Sequence, residues 1–252
     1  MVQENKESAH GVAIVFGGSR GIGAACVEAL SRAGMDVAFT YASQSSSAHQ
    51  AEEDALIHGT KVQSYQVDIA DGAAVNALFS QVKQDFGKDV QVVVANAGIN
   101  VPPAPIAQCS DEACRNLVEV NIVGAFNVLR AAAREVADGG AIVAMSTSLV
   151  RHAVPGMGLY SASKAAVECM VRSMSKELAA RGVRVNAVAP GPVDTDLFRA
   201  GKTDEAKARS AALSPLNRVG QPEEVAEVVA FLVSDKASWV DGQIVAINGG
   251  MI

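Results

Sequence analysis

The chain has 252 residues, 49% of them apolar and 19% charged, and a formal net charge of −6. This composition is typical of a folded globular protein and not of a disordered chain. The negative charge argues against nonspecific nucleic-acid binding, which needs a concentrated basic face, and no apolar run approaches the roughly 18 residues of a membrane-spanning helix. We therefore expect neither nucleic acid nor a membrane as a partner.

The first ten residues are polar and lack the apolar core of a secretion signal. We predict a flexible tail over 1–10 and one folded domain over 11–252. The four cysteines form no Cys-x-x-Cys pair, and no histidine lies at metal-ligand spacing from them. We therefore predict reduced thiols, no metal site and a cytoplasmic location.

Short runs rich in β-branched residues alternate with helical patterns along the chain. The predicted strands are 12–16, 37–41, 62–67, 90–95, 141–145, 183–188 and 243–247. The predicted helices are 22–32, 71–86 with Asp71 as its cap, 110–136, 158–181 and 222–233. Several strands are apolar at every position, which is typical of a parallel sheet covered by helices on both faces. The pattern predicts an α/β fold: a single doubly wound, Rossmann-type domain with a seven-stranded, mostly parallel sheet flanked by helices.

The segment 191–216 interrupts this alternation between the sixth strand and the last helix. It is long and only partly helical in pattern. Long insertions beside the carboxyl edge of a sheet are often lids, so we predict a substrate lid here.

A glycine cluster follows the first strand and opens the first helix. Bare glycine backbone lets a pyrophosphate approach, and the helix N-terminus offers free N–H groups and a partial positive charge. A glycine cluster alone is weak evidence, but this one lies between an apolar strand and an amphipathic helix, which favours dinucleotide binding. The predicted contacts are Gly17, Ser19, Arg20, Gly21, Ile22 and Gly23.

The end of the second strand indicates which dinucleotide is bound. An NAD site usually places an acidic residue roughly 20 residues beyond the glycines, to hold the ribose 2′-hydroxyl. The chain instead has Tyr41, Ala42 and Ser43 there, with Arg20 nearby in the glycine turn. A 2′-phosphate is attracted by Arg20 and meets no carboxylate, so NADP(H) is favoured over NAD(H).

Two further strand ends carry predicted cofactor contacts. Asp68 and Ile69 follow the third strand, where Asp68 is either a partner of the adenine amino group or an ordinary turn residue. Asn96, Ala97 and Gly98 follow the fourth strand, and such small residues let a cofactor lie across the sheet edge.

Tyr160 and Lys164 lie four residues apart in a long helical pattern, so both side chains can point into one site. A free tyrosine has a pKa near 10 and is a poor base at neutral pH. A nearby ammonium and the charge of an oxidised nicotinamide would lower that pKa and permit proton transfer. For this pair alone, a chance arrangement on the surface is the simpler interpretation.

The pair does not stand alone, because the chain resembles the short-chain dehydrogenase/reductase family over residues 11–250. The matching residues are Gly17–Gly23, Asp68, Asn96–Gly98, Asn121, Tyr160–Lys164 and Pro190–Thr195. The resemblance implies that Tyr160 is the general acid and base, and that Lys164 lowers its pKa and binds the nicotinamide ribose. It also implies that Asn121 holds a water of the proton relay. Cofactor contacts from the last motif are Pro190, Gly191, Val193 and Thr195, of which Val193 and Thr195 receive the carboxamide.

The chain departs from the family pattern at three places. Phe16 replaces a usual threonine and Ala95 a usual asparagine. The third departure is the serine that hydrogen-bonds the substrate oxygen at the end of the fifth strand. An ungapped fit places Thr147 there and a one-residue shift places Ser148, which we slightly prefer because it is a serine, while Ser146 is a weaker candidate.

These features predict an NADP(H)-dependent oxidoreductase that interconverts a small-molecule carbonyl and a secondary alcohol. The alternatives are an NAD(H)-dependent sugar or alcohol dehydrogenase of the same family and a non-catalytic dinucleotide-binding sensor. By resemblance we also expect a homotetramer or homodimer, built from copies of the helices 110–136 and 158–181 and of the segment 239–252.

Overall fold

Seven parallel strands form one sheet at the centre of the molecule, in the order β3-β2-β1-β4-β5-β6-β7. The strands are β1 Val12–Phe16, β2 Asp36–Tyr41, β3 Val62–Gln66, β4 Val90–Ala95, β5 Ala141–Met145, β6 Arg184–Pro190 and β7 Ile244–Ile247. The computed structural model describes residues 11–200 and 202–252, so the predicted tail 1–10 lies outside it. Every strand pair in the described ranges is parallel, which confirms the predicted doubly wound sheet.

Helices cover both faces of this sheet. They are α1 Gly21–Arg32, α2 Ser45–Leu56, α3 Gly72–Phe86, α4 Asp111–Val118, α5 Ala125–Glu135, α6 Gly158–Glu177, α7 Asp196–Arg199, α8 Asp204–Ala211 and α9 Pro222–Val233. One core lies between the sheet and α3, α5 and α6, and the other lies between the sheet and α1, α2 and α9. Successive residues of β1 alternate between the two cores, which explains why this strand is apolar at every position.

Local sequence signals set the ends of α3 as predicted. The Asp71 carboxylate accepts the N–H groups of Ala73 and Ala74 at 2.9 and 3.0 Å. Gly87 ends the helix with a φ of 63°, in the left-handed region that glycine adopts without strain.

The structure differs from the sequence prediction in two helical regions. It contains α2, which was not predicted because its serine-rich start hides a stripe of buried alanines at Ala48, Ala51 and Ala55. The predicted helix 110–136 is divided by a π-helical turn, Glu119–Gly124. At Gly124 the helix approaches Ile69 so closely that a Cβ would lie 2.7 Å from Ile69 Cγ1. Such π-turns occur frequently at functional sites.

The strand order reverses between β1 and β4, because β1 lies between β2 and β4. In doubly wound sheets ligands bind beyond the carboxyl ends of the strands at this switch point. The glycine turn after β1 and the Asn96 turn after β4 meet at this place. Within the described ranges no helix combines the length and the apolar character needed to cross a membrane.

Candidate active site

The glycine turn is fixed to both neighbouring strands. Gly17 N–H donates to Thr40 Oγ1 at 3.1 Å, and Gly18 N–H donates to Thr40 O at 2.8 Å. From the β4 side, Asn96 Nδ2 donates to Gly17 O at 2.8 Å. A Cβ at Gly23 would lie 1.9 Å from Gly17 O, so only glycine fits at that position. Gly23 therefore lets α1 pack closely against the turn that follows β1.

The amino end of α1 is built to receive an anion. Arg20 is the N-cap residue and is exposed, and no side chain within the described residues caps this helix. Thr195 lies over the same turn, with Cγ2 3.1 Å from the place that a Cβ at Gly21 would occupy. Free N–H groups and the helix dipole fit a pyrophosphate here.

The end of β2 lies beside this turn because Thr40 binds both Gly17 and Gly18. Tyr41 is half-buried, whereas Ala42 and Ser43 are exposed. Residues 41–43 contain no carboxylate. The edge therefore lacks the carboxylate that an NAD site usually has, and the predicted contact of Arg20 with a 2′-phosphate stays a prediction.

The turn after β3 contains Asp68, which is exposed, and Ile69, which is buried. Asp68 is exposed and its Oδ1 accepts Ala70 N–H at 2.9 Å, so it acts as a turn residue, while its predicted contact with adenine stays a prediction. Ile69 is buried against Gly124, and its carbonyl oxygen accepts a hydrogen bond from Asn127 Nδ2 at 3.0 Å. The side chain and carbonyl of Ile69 are therefore engaged within the protein.

Lys164 reaches from α6 to the end of β5. Its side chain is buried and Nζ donates to Met145 O at 3.0 Å, which leaves two N–H donors. Gly98 keeps the space beside the amine open, because a Cβ there would lie 3.2 Å from Nζ. Burial lowers the pKa of Lys164 to about 8. A ribose hydroxyl at this position could accept one of the two remaining N–H donors.

Tyr160 lies one helical turn before Lys164 on α6, on the same face of the helix. Burial raises the pKa of Tyr160 to about 12. The lowering of this pKa that was expected from Lys164 does not appear, because desolvation of the phenolate dominates. Burial therefore favours a protonated phenol, which suits a proton donor.

Asn121, in the π-helical turn, clamps the loop after β4. Its Oδ1 accepts Ile99 N–H at 2.8 Å and its Nδ2 donates to Ile99 O at 2.9 Å. The same Nδ2 lies 3.2 Å from Ser163 Oγ, and that hydroxyl donates to Tyr160 O at 2.8 Å. Asn121 thus joins the Gly98 loop to α6, while the water-holding role stays a prediction.

The three hydroxyls after β5 have different partners. Ser146 Oγ donates to Glu168 Oε1 at 2.8 Å. Ser148 Oγ donates to Ala189 O at 2.8 Å and accepts from Asn248 Nδ2 at 3.0 Å. Thr147 Oγ1 accepts Leu149 N–H at 3.3 Å, and within the described residues its own proton has no acceptor. The hydrogen bonds favour Thr147 for the substrate and weigh against our preference for Ser148.

The motif after β6 connects the sheet to the lid segment. Gly191 N–H donates to Ile247 O at 2.9 Å, and Val193 pairs with Gly220. Thr195 Oγ1 accepts Phe198 N–H at 3.2 Å and so caps α7. Of the predicted carboxamide partners, Thr195 lies beside the glycine turn, with Cγ2 3.1 Å from the place that a Cβ at Gly21 would occupy, while Val193 is buried in the core.

Three side chains of this region were missed in the sequence. Glu168 lies four residues after Lys164 and Ser163 three residues after Tyr160, so helical spacing from the predicted pair would have indicated both. Asn248 follows β7 and reaches Ser148 across one hundred positions. No local pattern indicates a contact of that separation.

Comparison with known proteins agrees with this geometry. A family model described as enoyl-(acyl carrier protein) reductase matches residues 17–252. A short-chain type dehydrogenase/reductase of Picea abies is 41% identical, covering 96% of this chain and 92% of the relative. A protein of Arabidopsis thaliana named NADPH-dependent aldehyde reductase-like protein, chloroplastic, is 37% identical, covering 96% of this chain and 94% of the relative.

A solved structure gives the same result. The short chain dehydrogenase from Burkholderia cenocepacia J2315 in complex with NADP has a TM-score of 0.88 and 32% identity, covering 95% of this chain and 96% of that one. The sheet order, the switch-point turns and these matches along nearly the whole chain lead to one conclusion. The chain belongs to the short-chain dehydrogenase/reductase family and is an oxidoreductase.

Proposed function

We propose that the protein is an NADP(H)-dependent oxidoreductase that interconverts a carbonyl compound and a secondary alcohol, with Tyr160 as general acid and base. The observation that carries the proposal is the meeting of α6 with the end of β5. Lys164 Nζ binds Met145 O at 3.0 Å, two residues before Thr147, while Tyr160 lies one turn earlier on the helix. This arrangement supports a site in which a proton donor, a cation and a free hydroxyl act together.

The residues present fit a bound NADP(H). The uncapped amino end of α1 would hold the pyrophosphate, together with Gly17, Ser19, Ile22 and Gly23. Arg20, Tyr41, Ala42 and Ser43 would surround the 2′-phosphate, and Asp68 the adenine. Asn96, Ala97, Gly98 and Lys164 would line the nicotinamide riboside, and Pro190, Gly191, Val193 and Thr195 the carboxamide. When bound, NADPH supplies the hydride that adds to the carbonyl carbon.

Names of relatives support this choice of cofactor. The Burkholderia cenocepacia structure contains NADP, and the Arabidopsis thaliana relative is named NADPH-dependent. The chain has no carboxylate at 41–43, where an NAD site usually has one. An NAD(H)-dependent sugar or alcohol dehydrogenase is the alternative, and cofactor titration decides between them.

Proton transfer falls to the chain's own side chains. Thr147 Oγ1–H and Tyr160 Oη–H would both donate hydrogen bonds to the carbonyl oxygen. As the C=O electron pair moves onto that oxygen, the oxygen takes the Tyr160 proton and the phenolate remains. Lys164 stabilises the phenolate by its positive charge, and solvent returns the proton. Oxidation of an alcohol follows the same path in reverse, with the Tyr160 phenolate as base.

The proposal is tested by following NADPH absorbance with purified protein and a panel of small ketones, aldehydes and 3-oxoacyl thioesters. Consumption of NADPH with formation of the matching alcohol supports the proposed function. Tight NADPH binding without turnover across the panel would contradict it and favour a dinucleotide-binding sensor.

The organisation around the site is also a proposal. We infer one domain over residues 11–252 with a lid at 191–216, because Thr195 lies over the glycine turn.

Exposed apolar side chains on the helix 110–136, namely Val118, Val123 and Phe126, support assembly into a homotetramer or homodimer, as does Trp239, which is 97% exposed. A cytoplasmic location stays a prediction.

A further inference from the structure

The turn after β7 contacts the candidate site through Asn248. Its Nδ2 donates to Ser148 Oγ at 3.0 Å, while its Oδ1 accepts the N–H groups of Gly250 and Met251 at 3.1 and 3.2 Å. One end of the amide therefore fixes its own turn, and the other end holds a residue next to Thr147. Asn248 belongs to none of the sequence motifs from which the site was predicted.

The hydroxyl proton of Ser148 is already used in a hydrogen bond within the protein. The side chain is 1% exposed, and the proton goes to Ala189 O at 2.8 Å. Its carbonyl oxygen accepts the N–H groups of Arg151 and His152 at 3.0 and 2.9 Å. Because Ser148 is held from both sides, the direction of the preceding residue, Thr147, is held as well.

The lid segment reaches the same turn from the opposite side. Ser214 is buried, and its hydroxyl donates to Gly249 O at 2.6 Å and accepts Leu216 N–H at 3.1 Å. Gly249 is the neighbour of Asn248 in the chain. A continuous set of bonds therefore runs from the end of the lid through this turn to Ser148.

We propose that Asn248 is a positioning residue that acts through Ser148 to hold the Thr147 hydroxyl toward the substrate oxygen, and that it ties this alignment to the lid. The proposal rests on the proposed function, in which Thr147 donates to the carbonyl oxygen. A donor of this kind stabilises the transition state strongly only when its direction is fixed before the reaction. Ser148 then serves alignment and not substrate binding.

Kinetics of four variants test the link: Asn248→Ala, Asn248→Asp, Ser148→Ala and the double variant with both alanines. Asn248→Asp keeps an oxygen for the turn's N–H groups but lacks the amide hydrogen that Ser148 accepts. We expect each single variant to lower kcat for carbonyl reduction about tenfold, with the NADPH dissociation constant within about twofold of wild type. The double variant should be no worse than the worse single variant, since both changes break one bond.

Asn186→Ala is the matched control. Asn186 Nδ2 donates to Val240 O at 2.8 Å and so also joins β6 to the chain before β7, but away from Ser148. This variant should lower the Tm and leave kcat unchanged. Additive losses in the double variant, or kcat within about twofold of wild type for Asn248→Asp, would overturn the proposal.

Hydrogen exchange of the backbone amides gives a readout that needs no turnover. In Asn248→Ala, which loses both ends of the amide, the amides of Arg151, His152 and Leu216 should exchange faster than in wild type, while those of β1 and β4 stay protected. Unchanged exchange at Leu216 overturns the tie to the lid. If wild type itself reduces no carbonyl, the proposed function fails; if wild type is active and the Asn248 variants match it, only the positioning role fails.

Discussion

Lys164 Nζ donates to Met145 O at 3.0 Å inside the protein, so the helix that carries the amine is anchored to the end of β5, two residues before Thr147. The amine is buried, and burial lowers its pKa from 10.5 to about 8. The folded chain therefore releases this proton near pH 8, whereas the unfolded chain keeps it until about pH 10.5.

A pH-dependent stability follows from that difference. Between pH 8 and 10.5 the unfolded state binds more protons, so the Lys164 contribution to the free energy of unfolding rises with pH, by roughly 3 kcal/mol in all. Cys26 and Tyr160 act in the opposite direction above pH 9 and 10, since burial raises both of their pKa values to about 12. The measurement is therefore the difference between wild type and Lys164→Met, by denaturant unfolding from pH 7 to 9.5 without cofactor. Lys176→Met, at an exposed position of α6, should follow the wild-type pH dependence; the same behaviour in Lys164→Met would contradict the prediction.

Tyr160→Phe removes the proposed proton donor and little else. We expect kcat to fall by about 10²–10⁴, the usual contribution of general acid catalysis, with NADPH binding near normal by fluorescence titration. Tyr65→Phe is the control, because Tyr65 Oη donates to Asp85 at 2.8 Å on the far edge of the sheet and should affect stability only. If Tyr160→Phe keeps most of the wild-type turnover, Tyr160 is not the proton donor.

Thr147→Val keeps the shape of the side chain but deletes the hydroxyl whose proton is free. We expect kcat to fall by about 10² and Thr147→Ser to recover most of it, as for a donor to a developing oxyanion. Thr60→Val makes the same change at a hydroxyl that binds Ser31 at 2.6 Å, remote from the site, and should leave turnover unchanged. Full activity of Thr147→Val would show that another group contacts the substrate oxygen.

Tyr41→Asp tests the choice of cofactor at the end of β2. A carboxylate there repels the 2′-phosphate and accepts the ribose 2′-hydroxyl, so the ratio of kcat/KM for NADPH to that for NADH should fall by about tenfold or more. Tyr41→Phe adds no charge and should keep the wild-type ratio. A wild-type enzyme that already prefers NADH would show that Arg20 does not select the phosphate.

Light scattering tests the proposed assembly. We expect a dimeric or tetrameric mass for wild type, and a smaller assembly for Phe126→Asp, because a charge in a buried apolar interface lacks its hydration. Leu56→Asp changes an exposed apolar residue on α2, outside the proposed interface, and should keep the wild-type mass. A monomeric wild type would refute the prediction.

Central strands such as β1 and β5 could be predicted from the sequence because burial on both faces makes them continuously apolar. The same rule fails for α2, whose buried face consists of alanines, and for the π-helical turn, which depends on the close approach of Ile69 to Gly124. Pattern and spacing also predict one site that contains Tyr160, Lys164 and the glycine turn. They do not choose between Thr147 and Ser148, because that choice depends on Ala189 and Asn248, which are far away in the chain.

The uncapped amino end of α1 has a consequence for the life of the protein in a cell. With no side chain in the described residues capping that helix, its first N–H groups are satisfied by solvent or by a bound anion. A ligand that binds only the folded state adds about 2.7 kcal/mol to the free energy of unfolding at one hundred times its Kd. If the proposed cofactor binds at this end, a fall in its concentration removes that stabilisation and raises the unfolded fraction that proteases degrade. The abundance of the protein would then follow the concentration of the dinucleotide that it needs for activity.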